Sequence, residues 1–114
     1  MDASAALSEL LEVSTQVVQV VVTGPTGEVE AARAPSDDRA RALVAAGAEL
    51  LSGAGAIRPS EPVERVQVDL ERGSVVALTD GTRAVVATTV AGPTAALVAH
   101  DLRTLLGRIA GASA

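Results

Sequence analysis

Apolar residues along the chain recur with two periods, and the switches between them mark out the elements. Leu7, Leu10 and Leu11 fall at helical spacing within Ala3 to Glu12, which predicts a short amphipathic helix with Ser4 at its cap. Gln16 to Thr23 is apolar and β-branched at nearly every position, so it predicts a strand covered on both faces. Gly24-Pro25-Thr26-Gly27 then supplies a hairpin turn. Beyond it, Glu28 to Arg33 alternates charge with Val29 and Ala31, the pattern of a half-exposed strand. Pro35-Ser36-Asp37-Asp38 is a helix start with Ser36 at the cap, and Leu43, Val44, Leu50 and Leu51 are its buried stripe up to a stop near Gly53.

Gly53 to Pro62 reads as a loop too short to join two domains. Val63 to Leu70 alternates, with Val66, Val68 and Leu70 on one face and Arg65, Gln67 and Asp69 on the other. Gly73 turns the chain into Ser74 to Thr79, and Asp80-Gly81 makes a second tight turn before Arg83 to Val90, again apolar on both faces. Gly92-Pro93-Thr94 opens a last helix with Pro93 at its first position. Its core stripe is Leu97, Val98, Leu102, Leu105, Leu106 and Ile109. The expected order is helix, strand, strand, helix, three strands, helix, an α/β (α+β) domain spanning residues 1–114, ordered from about 3 to 110 with a frayed tail at 111–114.

Composition narrows the functional classes. The chain has 114 residues, 48% of them hydrophobic, yet no Phe, Tyr or Trp, so its core rests on Val, Leu, Ala and two Ile. Such side chains bury less area each than aromatics do, and pairing with a second copy would add to stability. All nine basic residues are Arg, set against fourteen carboxylates for a net charge of -5. That balance supplies no basic stripe for a phosphate backbone, and without aromatics no base can be stacked, so no nucleic acid is expected. No uninterrupted apolar run reaches the roughly 18 residues that span a bilayer, and a cytoplasmic protein with no membrane contact is expected.

The residue inventory also argues against catalysis. With no Cys, thiolate nucleophiles, disulfides and thiolate metal sites are excluded. His100 and Asp101 are helix neighbours pointing about 100° apart and do not form a dyad. Thr88 and Thr89 read as strand residues. Asp37 and Asp38 are explained by an acidic helix start, without a metal. Gly24 to Gly27 lacks the Gly-Lys-Ser/Thr ending of a phosphate loop. No catalytic, cofactor-binding or metal-ligating residue is assigned, and no enzyme activity is expected. Gly47, mid-helix, costs about 1 kcal/mol against Ala; it is either a tolerated defect or a site of close approach to a sheet or partner helix.

The element order resembles the roadblock/dynein-light-chain domain, a profilin-like αββαβββα fold with helices on both faces of a five-stranded antiparallel sheet. The local likeness is greatest in Asp80-Gly81-Thr82-Arg83, Val85-Val86-Ala87-Thr88-Thr89, Gly92-Pro93-Thr94 and Asp101-Leu102-Arg103, which are similar to bacterial members found beside Ras-like small GTPases. The first hairpin departs from the family, carrying Thr23-Gly24-Pro25-Thr26-Gly27 where an Asp-x-x-Gly turn is common. The resemblance implies that the first and fifth strands are central and that the third is an edge where two copies join. It further implies a homodimeric partner of a Ras-like small GTPase, acting on its nucleotide cycle without a catalytic Arg, or else a structural adaptor without GTPase contact.

For the edge strand, a two-fold axis at Gln67 sets Arg65 against Asp69 and Val66 against Val68 of a second copy. The alternative is an ordinary edge strand whose charges are solvated. Arg39, Arg41 and Arg58 are expected either to contact an acidic partner or to belong to a solvated face.

Overall fold

The computed structural model describes residues 1–92 and 94–112. The chain runs α1 (Ala3–Val13), β1 (Val17–Thr23), β2 (Val29–Arg33), α2 (Asp37–Ile57), β3 (Arg65–Leu70), β4 (Gly73–Thr79), β5 (Ala84–Thr89) and α3 (Ala95–Ala112). All strand pairs are antiparallel, and the spatial order is β2-β1-β5-β4-β3. This is the mixed α/β order expected from the periodicity. β1 and β5 are internal as expected, and β2 and β3 are the two edges.

Alternation along the strands divides the core in two. Val20, Val22, Val76, Leu78, Val85 and Ala87 face α1 and α3, where they meet Leu7, Leu10, Val98, Leu102, Leu105 and Ile109. Val21, Ala77 and Val86 point the other way and are covered by Leu43 of α2, with Val44, Leu51 and Val75 packed at the margin. A single helix therefore covers one face and a pair covers the other. The pair is tied at its rim by Arg108 Nε to Glu9 Oε1 at 2.7 Å.

Several boundaries differ from the sequence expectation, each for a local reason. Asp2, not Ser4, caps α1, its carboxylate accepting from the Ala5 amide at 2.7 Å. Ser36 caps α2 as expected, accepting from the Arg39 amide at 3.1 Å. α2 does not stop at Gly53 but continues through Gly55 to Ile57, because backbone hydrogen bonding carries the helix across glycines that meet no competing partner; the connection to β3 is correspondingly shorter. α3 runs to Ala112, two residues past the expected order limit, while the expected role of Pro93 and the end of the expected tail lie outside the described residues. Leu97 is exposed, and Ala99 takes its place in the buried stripe.

Two bulges explain where the strand pattern departs from strict alternation. Val17 pairs with Thr89 and Gln19 with Thr88, so Val18 is an extra residue and turns out of the core that the unbroken apolar run had suggested. Val22 pairs with Ala31 and Thr23 with Val29, leaving Glu30 as the extra residue on β2. Glu30 uses that freedom to accept from Arg83 Nε at 2.7 Å, tying the edge strand to the start of β5. Val29 is exposed as a consequence.

Gly47 is a site of close approach. A Cβ there would overlap Val86 Cγ2, and Val86 is buried at the centre of the sheet with a stiff, β-branched side chain. Gly53 lies on the same helix with open space around it. The two glycines should therefore respond to Ala with opposite signs. Gly53→Ala should stabilise the fold by about 0.5–1 kcal/mol through helix propensity. Gly47→Ala should destabilise it, since overpacking costs about 1–3 kcal/mol against a propensity gain of about 1. Urea denaturation of both variants reads the signs directly, and stabilisation by Gly47→Ala would contradict the close packing.

Candidate functional site

β3 presents its inner edge to β4 and nothing to its outer edge among the described residues. Its register sets Arg65 opposite Leu78, Val66 opposite Ala77, Gln67 opposite Val76, Val68 opposite Val75 and Asp69 opposite Ser74. Opposed residues share a face, so Val66 and Val68 lie on the α2 side and Arg65, Gln67 and Asp69 on the side of α1 and α3. The alternation read from the sequence is the alternation observed. Val66, Gln67 and Val68 are half-buried, whereas Arg65, Asp69 and Leu70 are exposed. A shallow hollow of about 310 Å³ lies between Val68, Val75, Ala46 and Leu50, with Glu49 beside them.

Asp69 is more constrained than the pattern suggested. Its Oδ1 accepts from Ser74 Oγ at 2.6 Å and from Gln67 Nε2 at 2.9 Å. The Ser74 hydroxyl first, and the Gln67 amide second, hold its carboxyl below the usual aspartate range, so it stays ionised on the strand edge. Arg65 has no ion-pair partner among the described residues. The edge therefore carries a fixed anion and an unpaired cation on one face, and two half-buried valines on the other.

The three arginines considered as partner contacts do not form one surface. Arg41 pairs with Asp38 in the first turn of α2, and Arg58, at the C-cap, pairs with Glu61 at 2.6 Å. Arg39 is exposed without an ion-pair partner among the described residues. Arg39 and Arg58 stand about 28 Å apart along the helix axis at 1.5 Å per residue, so a single small contact would not engage both.

The residues weighed for chemistry occupy structural positions. His100 is exposed on α3, and its carbonyl accepts from Thr104 Oγ1 at 3.0 Å. Thr88 Oγ1 accepts from the Gln19 amide at 3.2 Å, where the Val18 bulge interrupts the ladder. Thr89 is buried; its hydroxyl accepts from the Ser74 amide at 3.1 Å and donates to the Val90 carbonyl at 3.0 Å. Asp80 closes the β4–β5 turn, its Oδ1 accepting from the Thr82 and Arg83 amides at 2.9 and 2.8 Å. Among the described residues no three His, Cys, Asp or Glu side chains converge in a way that could hold a metal ion.

Sequence reasoning did not anticipate a groove at the end of the sheet, beside the N-terminal half of α2, lined among others by Val18, Leu70, Arg72 and Val90. Val18 belongs to an unbroken apolar run and Arg72 to a turn; only the bulge and the strand order bring them together. By length and composition alone α2 is long and apolar enough to cross a membrane, yet Ala40, Leu43 and Gly47 on it are buried in the protein.

No protein-family model matches the chain, and neither does any curated protein sequence. Solved structures do. One crystal structure of a Roadblock/LC7 domain from Streptomyces avermitilis superposes with a TM-score of 0.83 at 18% sequence identity, covering 97% of this chain and 97% of that one. A second Roadblock/LC7 domain structure from the same organism gives a TM-score of 0.69 at 20% identity, covering 92% of this chain and 95% of the other. At that identity the likeness speaks for backbone architecture, and over nearly its whole length this chain has the fold of Roadblock/LC7 domains.

Proposed function

We propose that this protein is a homodimeric, non-enzymatic binding platform for a Ras-like small GTPase, whose nucleotide cycle it modulates. The observation that carries the pairing half of this reading is the open outer edge of β3, with valines on one face and opposite charges on the other. An edge of this kind exposes unsatisfied backbone donors and acceptors and is a template for a further strand. Antiparallel pairing about Gln67 places Arg65 against Asp69 of the second copy, whose low pKa keeps it charged for that contact. Val66 meets Val68 of the second copy on the other face. Each such pair contributes about 0.2–1 kcal/mol, and the sheet continues from one protomer into the next.

The GTPase half rests on the fold shared with Roadblock/LC7 domains and on the resemblance of the C-terminal third to bacterial members found beside small GTPases. A structural adaptor is the second reading, favoured by the exposed alanine-rich side of α2 at Ala42, Ala45 and Ala48 and by Ile57 at its end. Such a surface needs no nucleotide-dependent partner. Under either reading the protein works in the cytoplasm, with no cofactor.

Val68→Arg places a charge on the apolar face of the pairing strand and should convert a dimer to a folded monomer in light scattering coupled to gel filtration. A persistent dimer would rule out this register. The Arg65–Asp69 contact gives a pH dependence of defined sign. The Ser74 and Gln67 hydrogen bonds lower the Asp69 pKa within the protomer, so their contribution to folding is fully present above the ordinary aspartate range and lost as pH falls through the lowered value, where the charge facing Arg65 of the second copy is lost as well. Dimer affinity measured by sedimentation should accordingly decline on acidification. In Ser74→Ala the Asp69 pKa should move up toward its ordinary value, which NMR titration of that carboxyl reads. Mixing the protein with the small GTPase encoded nearest to it, in both nucleotide states, should give a complex and a changed hydrolysis rate. Binding in neither state would leave the adaptor.

A further inference from the structure

On the α2 side of the sheet, the helix leaves one end uncovered, where β1 begins and β3 and β5 finish. A groove of about 610 Å³ opens there beside Leu43 and Val75. Its rim carries Val18, Leu70 and Val90, which are 52%, 62% and 40% exposed. Branched aliphatic side chains this exposed, brought to one rim from β1, the end of β3 and the residue after β5, gather apolar surface in one place.

Charge joins the apolar rim at the groove. Arg39 and Arg72 both line it, and neither has an ion-pair partner among the described residues. Arg41, Arg58, Arg83 and Arg108 each sit on a carboxylate, while Arg33, Arg65 and Arg103, elsewhere on the protein, are likewise without an ion-pair partner among the described residues. None of the described lining residues is acidic, although the chain carries fourteen Asp and Glu against nine Arg. The groove is thus a cationic, apolar spot on an anionic protein, and its field favours an anion that also brings apolar surface.

We infer that this groove docks an acidic linear segment of a partner protein, with a leucine-sized side chain seated between Val18, Leu43 and Leu70 and flanking carboxylates on Arg39 and Arg72. Its volume falls in the range of small-molecule sites, but it is open along its length. A detached small anion would keep most of its surface in water there. A chain segment delivers an apolar anchor and charges on both sides of it in one ligand, and Arg is the side chain suited to bidentate contact with carboxylates. The groove shares Leu70 with the end of β3, but its other lining residues lie on β1, α2, β4 and β5 and beside them, so the inference does not depend on the pairing register.

The test is fluorescence anisotropy of a labelled synthetic peptide with leucines flanked by glutamates, titrated with the full-length protein, beside a control peptide carrying Lys for each Glu. The acidic peptide should bind with an affinity that falls as salt is raised. The lysine peptide should not bind. Arg39→Glu and Arg72→Glu should each weaken binding by about tenfold or more, and Leu70→Asp should remove it, with thermal melts by circular dichroism confirming that all three variants fold. Equal binding of both peptides, or wild-type affinity in the arginine variants, would overturn the inference. So would a wild-type protein that ignores the peptide while Leu70→Asp turns a dimer into a monomer, which would assign the groove to a second copy. Capture of the protein by anionic phosphatidylglycerol vesicles without peptide binding would equally overturn it, in favour of a lipid surface.

Discussion

The pairing of β1 with β5 is the contact on which the remaining architecture depends. Val20 against Ala87, Val21 against Val86 and Val22 against Val85 join segments more than sixty residues apart in sequence, and these residues are buried on both faces of the sheet. Because successive side chains alternate, this one register decides which residues reach α1 and α3 and which reach α2. A slip by a single residue would exchange the two sets. β2 is then added through the first hairpin, and β4 and β3 through the second and third, so the free edges are consequences of the central pair.

The lack of aromatic residues imposes a second constraint, on layer spacing. Valine, alanine and leucine fill less volume each, so a well-packed interior requires the helices to sit close to the sheet. Gly47 against Val86 is one place where helix and sheet lie so close that a Cβ would not fit. Gly73 plays a related part at the β3–β4 turn, where a Cβ would run into the Thr89 carbonyl of β5. In both places the absent side chain is what lets two backbones or layers meet, and the helix-propensity penalty at Gly47 is offset by packing.

Polar groups concentrate where the strands end or deviate. The bulge at Glu30 frees a carboxylate to reach Arg83, the bulge at Val18 exposes an aliphatic side chain, and Ser74 anchors Asp69 across the last ladder. These irregularities shape the surfaces open to partners. The β3 edge offers backbone hydrogen bonding with alternating side chains, and the groove beside α2 offers apolar contact ringed by two arginines. The strand pairing proposed for one and the acidic segment proposed for the other call on different chemistry.

The sequence by itself determined the element order, because hydrophobic periodicity and turn residues are local properties. The helix start at Ser36, the two turns at Gly24–Gly27 and Asp80-Gly81, and the alternation of Val63 to Leu70 are all set by residues within a few positions of one another. The same locality explains what was misread: Gly53 looks like a stop, yet nothing nearby competes with the helix; Val18 looks buried, yet a bulge in its pairing with β5 turns it out. Tertiary structure alone decided whether Gly47 was a defect, because its neighbour Val86 is distant in sequence. It alone separated Arg39 from Arg58, engaged Asp69 with Ser74, and assembled Val18, Leu70, Arg72 and Val90 into one groove. Those facts depend on which strands lie side by side, and strand neighbours are chosen by long-range burial that no short window of sequence contains.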